Sequence, residues 1–195
     1  LGSVAEELIR HASLPVLTIG PEAQSRVLEK NPMHFSRIFL ASDLGPNSEP
    51  ATKYTLQLAS ELKAHVTIVH SVYADLHPVI KTALSSPSGS KDVAQYVDDL
   101  CKKQTRTLEK TAKIFMKKGI RCDVVLDKST TSPDEGILQR ASEAADLIIC
   151  GTHGRNLFSS AFLGSTARSL ILRSTAPVIT VASRAKSRPK HASRR

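Results

Sequence analysis

Tryptophan is absent from the 195-residue chain, aromatic residues make up only 4%, and cysteine occurs three times. Cys101, Cys122 and Cys150 are far apart and form no C-x2-C pair, so neither a zinc ribbon nor a disulfide scaffold is supported. Long apolar runs are missing too: none approaches the roughly 20 residues that a membrane-spanning helix requires. No basic stretch leads into an apolar core followed by a small-residue cleavage site, so no secretory leader is read. Unpaired thiols and the absence of a membrane segment make a reducing cytoplasm the expected setting. What remains is ordinary for a globular chain, with 41% hydrophobic and 23% charged residues.

Positive charge is the one excess. Lys and Arg number 27 against 18 Asp and Glu, for a net charge of +9, and such a balance invites a nucleic-acid reading. The excess is unevenly placed. From Ser183 the chain reads SRAKSRPKHASRR, with six basic residues and no acid. That segment has nothing to bury and reads as a solvated, disordered tail. The rest carries 21 cations against 18 anions, a net of only +3.

The two ends of the chain repeat each other. Leu1 to Ile19 (LGSVAEELIRHASLPVLTI) and Leu163 to Val181 (LGSTARSLILRSTAPVITV) align without gaps at an offset of 162, with nine identities in nineteen positions. Average composition would give about one match in such a window. Residues 1–20, which open on Leu1 inside a helical pattern, therefore read as the closing helix and strand of a preceding copy of the domain. Residues 21–35 read as a linker, and residues 36–182 as the complete domain.

Within that domain, nearly continuous β-branched runs mark strands at Ile38–Ala41, Val66–Val69, Val124–Leu126, Leu147–Cys150 and Val178–Val181. Helical patterns separate them. Ala51, Tyr54, Leu58 and Leu62 share one face of a first helix, and Val93, Val97, Leu100, Leu108 and Phe115 mark a long second one. Ile137, Leu138 and Ala141 mark a third, with Pro133, Asp134 and Glu135 suited to its first turn. A fourth contains Ala167, Leu170 and Ile171. Leu76 to Ser90, containing SSPSGS, reads as a surface loop. The alternation predicts an α/β fold: an open, doubly wound, five-stranded parallel sheet with helices on both faces.

Ligands of such sheets sit beyond the strand carboxyl ends, at the point where the winding reverses. There the sequence offers Gly151-Thr152-His153-Gly154-Arg155, then Leu163-Gly164-Ser165-Thr166 at the start of the fourth helix. Glycines allow close backbone approach, and a helix start presents unpaired N–H groups to an anion. The simpler alternative is a tight turn followed by an ordinary Ser165 N-cap. Neither G-x-x-x-x-G-K-[ST] nor G-x-G-x-x-G occurs.

The spacing Gly151-x2-Gly154-x9-Gly164-Ser165 resembles the nucleotide-binding branch of the universal stress protein (UspA-like) family. Arg37 to Asp43 resembles that family's first strand, ending in Asp. Val69-His70-Ser71-Val72, Ala145 to Gly151 and Ala176 to Val181 resemble its second, fourth and last strands. The resemblance implies an adenine nucleotide alpha hydrolase-like fold, ATP (with or without Mg²⁺) at the strand carboxyl ends, and pairing of two domains through their last strands. It places Ala41, Ser42 and Asp43 along the adenosine, Ser71 beside the adenine, and Cys150 and Gly151 against the nucleoside. Gly154, Gly164, Ser165 and Thr166 fall at the phosphates, while Arg155 either adds charge there or points to solvent. Two positions depart from the family pattern: Leu44-Gly45-Pro46 follows Asp43 where Gly-Ser is common, and Ser71 is polar where an apolar residue is usual.

Other candidates carry less. His153, in the glycine loop, is a candidate base or phosphate contact, but between two glycines and without a second ligand it reads more simply as a plain loop residue. His65 and His70 lie at odd spacing on one strand, face opposite sides and cannot share a metal. Cys150 reads as a small strand residue, not a nucleophile. The resulting expectation is an ATP-binding, nucleotide-regulated stress module, the closing part of a tandem protein, with no catalytic residue or metal site assigned. Two alternatives stand beside it: a slow ATPase or phosphoryl/adenylyl transferase using Asp43 and Ser165, and nucleic-acid association through the tail, against which a merely solvated tail is preferred. Pro15 to Ile19 is expected to pair antiparallel with Val178 to Val181, in this chain or in a neighbouring one, because an exposed strand edge is costly.

Overall fold

Five apolar runs form parallel strands, and a shorter sixth joins them from the amino-terminal segment. The computed structural model describes residues 1–29, 33–84, 91–128, 132–153 and 163–182. Its elements are α1 (Ser3–His11), β1 (Val16–Thr18), α2 (Gln24–Glu29), β2 (Arg37–Ala41), α3 (Glu49–Leu62), β3 (His65–Ser71), α4 (Pro78–Leu84), α5 (Lys91–Met116), β4 (Cys122–Asp127), α6 (Pro133–Ala144), β5 (Leu147–Gly151), α7 (Ser165–Arg173) and β6 (Val178–Val181). The sheet order is β1-β6-β5-β2-β3-β4. From β2 the chain winds one way through β3 and β4, then the other way through β5 and β6. The reversal falls between β2 and β5, where a crevice must open at the carboxyl ends.

Both faces of the sheet are covered, which explains why the strands read as continuous apolar runs. Ile38, Leu40, Val66, Ile68, Leu147 and Ile149 point toward α3 and α5 and pack with Ala51, Ala59, Leu108 and Phe115. Their neighbours Phe39, Ala41, Val69, Ile148, Cys150 and Val178 point the other way and pack with Ile137, Ala141, Leu170 and Ile171 of α6 and α7. Each fully buried Leu, Ile or Phe contributes about 1.5–3 kcal/mol of transfer free energy. Gly136 lets α6 sit directly on the end of β4: a Cβ there would lie 2.0 Å from an Asp127 carboxylate oxygen.

The antiparallel pairing expected of the amino-terminal strand occurs within this chain. Val16, Leu17 and Thr18 oppose Thr180, Ile179 and Val178. Leu17 and Ile179 are matched positions of the internal repeat, so the two copies meet about a local two-fold axis through that pair. Glu6 and Arg168, also matched positions, approach to 3.8 Å beside it.

Two connections hold more structure than their composition suggests. The stretch 76–90 is not all loop, because Pro78–Leu84 forms α4. Proline suits the first helical turn, and Ile80 packs against the buried cluster of Val72, Leu76 and Cys101. The Lys81 ammonium lies 4.0 Å from the centre of the Tyr73 ring. The 21–35 connection contains a short 3-10 turn and α2. It is pressed against the domain: Ala23 is fully buried, and Arg26 reaches the Ser142 carbonyl at 3.3 Å. The basic tail lies outside the described residues.

Candidate functional site

The crevice is real. A cavity of about 360 Å³ opens at the carboxyl ends of β2, β3 and β5, within the usual size range of small-molecule sites. Ala41, Ser42 and Asp43 line it from the end of β2 and Ser71 from the end of β3. Cys150 and Gly151 come from β5, and Gly164, Ser165 and Thr166 from the start of α7. These nine predicted positions thus surround one space. Gly154 and Arg155 lie outside the described residues.

The loop after β2 is held by its own side chains. Asp43 Oδ1 accepts the Gly45 N–H at 2.8 Å and the Ser48 hydroxyl, and Ser42 Oγ accepts the Leu44 N–H at 3.1 Å. These short-range turns need a positive φ at Leu44, 57°, where a glycine would sit without strain. The departure at Leu44 therefore keeps the turn and adds a side chain that packs on the core. Asp43 Oδ2 is buried and has no hydrogen-bond partner among the described residues. The residue itself lines the cavity.

Ser71 is only 2% exposed, and its hydroxyl also lacks a partner among the described residues. A buried hydroxyl left unpaired is unfavourable, so its position in the cavity wall suits a polar ligand atom. His70, on the opposite strand face, is tied down instead. Its Nδ1 donates to the Ser42 carbonyl at 2.8 Å, while Nε2 lies 3.2 Å from Asp75. Asp75 also accepts from the Gln104 side-chain amide, so α5 is fastened to the cavity rim. His65 pairs separately with Asp123 at 2.8 Å. The two histidines share nothing, as their spacing requires.

At the other side, α7 begins without a side-chain cap. Its N-cap is Gly164, whose N–H donates to the Thr152 carbonyl at 2.8 Å, and Ser165 is the first helical residue. The ordinary N-cap reading of Ser165 is thereby overturned, and the positive end of the helix dipole faces the cavity. His153, in the bend that follows β5, joins the site. It lines the cavity, the Thr152 hydroxyl meets its Nδ1 at 2.9 Å, and its Nε2 is buried without a partner among the described residues. Among the described residues, no lysine or arginine lines the cavity.

Gly151 is less demanding than its place in a glycine motif suggests. A Cβ there would meet the His153 and Asn47 carbonyl oxygens at 3.4 and 3.5 Å, ordinary contacts. Burial pushes the Cys150 thiol up to about 12, leaving it protonated and poorly nucleophilic. Asp134 and Glu135 are engaged elsewhere: Arg173 reaches them at 3.3 and 2.8 Å, and the Ser169 hydroxyl donates to Asp134. Burial alone would raise Asp134, but hydrogen bonds from Ser169 and Ser132 and the Arg173 charge hold it below the usual carboxylate range. These acids fasten α6 to α7.

The class defined by these features is an α/β domain with a polar-edged small-molecule cleft at its winding reversal. The model of the Universal stress protein family matches residues 34–182, and the chain belongs to that family. Universal stress protein Rv1996 of Mycobacterium tuberculosis is 26% identical over 181 residues, covering 92% of this chain and 52% of its own length. The chain thus spans about half the length of the curated relatives it matches. Hypothetical protein MJ0577 superposes with a TM-score of 0.65 at 22% identity, over 78% of this chain and 99% of its own. A universal stress protein from Archaeoglobus fulgidus, solved in complex with dAMP, superposes with a TM-score of 0.53 at 21% identity, over 76% and 98%. Among the described residues, no helix is long and apolar enough to cross a membrane.

Proposed function

We propose that this domain binds ATP in the cleft and acts as a nucleotide-regulated stress module without strong catalysis. The observation that carries the reading is one cavity at the winding reversal that gathers the uncapped α7 start with Asp43, Ser71 and His153, each of which holds a buried polar atom without a partner among the described residues. In this reading Ala41 to Asp43 flank the adenosine, with Asp43 Oδ2 accepting from a hydroxyl or amino group. Ser71 lies at the base, and Cys150 and Gly151 pack on the nucleoside. The α7 N–H groups and the Ser165 and Thr166 hydroxyls hold the phosphates, together with Gly154 and Arg155. Bound nucleotide brings its own charge; Mg²⁺ carried with it would be approached by Asp43 and Ser165. No described residue combines a reactive nucleophile with a base, which favours binding over turnover.

Isothermal titration of the purified chain with ATP tests the reading. Saturable one-site binding is expected, and its absence would sink it. Steady phosphate release abolished by Asp43→Asn or Ser165→Ala would favour a slow ATPase instead.

The amino-terminal segment fits the same proposal as the closing helix and strand of a preceding domain. Support comes from the repeat, from the antiparallel register that opposes matched residues, and from relatives about twice as long. In that arrangement α1 would offer its Gly2-Ser3 start to a second nucleotide site, as α7 does to the first.

A further inference from the structure

The charge in the folded domain is more concentrated than its net value suggests. Between Lys102 and Arg121 the chain holds eight Lys and Arg residues against one acid, Glu109. Five of them, Lys103, Arg106, Lys110, Lys113 and Lys117, recur at alternating spacings of three and four, and the Lys117 N–H still bonds the Lys113 carbonyl in helical fashion at 3.0 Å. At 100° per residue they form one stripe about 21 Å long on α5. Its centre lies half a turn from Gln104, Leu108, Ala112 and Phe115, the residues α5 buries. All five side chains are exposed, and none has an ion-pair partner among the described residues.

Helix electrostatics do not account for this. The dipole favours cations only within the last turn, whereas the stripe covers four turns. Like charges at i,i+3 and i,i+4 repel along its whole length. The first half of α5 shows the contrast, because there Lys102 is paired with Asp98 at 2.7 Å.

We infer that this outer face of α5 is a docking surface for the phosphate backbone of a nucleic-acid duplex, read without regard to sequence. A linear array of cations matches a linear array of phosphates: duplex DNA presents one phosphate per 3.4 Å of axis in each strand, or about six over this length. A lipid surface fits poorly, since an interfacial helix needs a continuous free apolar face, whereas α5 buries Cys101, Leu108, Ala112 and Phe115 in the core and leaves only Tyr96, Ile114 and Met116 as scattered exposed large hydrophobics. No exposed amide or aromatic side chain interrupts the stripe to read base edges, so the contact is with the backbone alone. The surface faces away from the nucleotide cleft and stands independently of what the cleft binds.

Fluorescence anisotropy of a mixed-sequence 25-base-pair DNA duplex, titrated with the full chain over a salt series, tests the assignment. The comparison is with a variant carrying Gln at Lys103, Arg106, Lys110, Lys113 and Lys117, and with a second carrying Gln at the six basic residues of 183–195. The parent should bind; the stripe variant should lose at least about tenfold at 0.1 M salt and flatten the log–log salt slope by about 4.5. Its thermal melt should be no lower than the parent's, because the five side chains are exposed and their mutual repulsion is removed. Three results overturn the inference: no duplex binding at low salt, parent-like affinity in the stripe variant, or capture by anionic phosphatidylserine vesicles without capture of the duplex.

Discussion

Residues 1–19 and 163–181 share nine of nineteen residues and live in different surroundings. Leu170 is fully buried, yet its counterpart Leu8 is 67% exposed; Ile179 is 6% exposed and its counterpart Leu17 is 47% exposed. Helix and strand form in both copies, because periodicity and propensity are local properties. Burial is not local. The second copy lies under α6 and beside β5, whereas the first touches the domain mainly through Ile9 and the β1–β6 ladder. An apolar pattern thus specifies an element and which side must be covered, while the cover itself comes from other parts of the sequence.

Matched substitutions in the two copies break this comparison most forcefully. Leu170→Ala should cost about 2–5 kcal/mol of unfolding free energy, through lost burial and a residual cavity. Leu8→Ala should change it by no more than about 0.5 kcal/mol. Urea denaturation reads both, and equal losses would mean that the amino-terminal helix is packed as deeply as α7.

The glycines that open the two helices give the next contrast. Gly164→Val crowds the cavity at the phosphate side and should weaken ATP binding at least 100-fold, about 2.7 kcal/mol. Gly2→Val, where an added Cβ meets nothing within 4 Å, should leave titration with ATP unchanged.

A smaller effect separates the ways the copies are fastened. Asp134, joined to Ser169 and Arg173, has a folded pKa below its ordinary value of 3.8. Its stabilising contribution is complete above that ordinary value and disappears as pH falls through the depressed folded value. Asp134→Asn should therefore flatten the acid limb of stability measured from pH 5 downward. His11, the counterpart of Arg173, has no such carboxylate pair among the described ion pairs, and His11→Ala should leave that limb in place. The smallest change is expected of Glu6→Arg, which places like charges across the local two-fold axis. Both groups are solvent-accessible, so the loss should stay within about 1 kcal/mol and fade with added salt.

Much of the fold and of the site is legible in the sequence alone. Continuous β-branched runs alternating with 3.6-residue patterns suffice for the parallel sheet, and the Gly151 to Thr166 spacing points to the carboxyl-end cleft. The misreadings came from features that only tertiary contact creates. Composition alone hid α4, whose helix depends on Ile80 meeting Val72 and Leu76. For His153 the sequence left a loop residue and a ligand contact side by side, because its place in the wall depends on Thr152 fixing one ring nitrogen and the fold burying the other. Ser71 was visible as a departure from an apolar pattern, but only the fold shows its hydroxyl buried and unpaired. The stripe on α5 was masked by averaging, since nearby acids cancel it in the net charge.

Mass spectrometry of the small molecules released from purified, undenatured protein tests the central claim most directly. An intact adenine nucleotide, present near one per chain and missing from Gly164→Val, is the predicted result. A protein that carries no nucleotide and takes up none when incubated with ATP would contradict it.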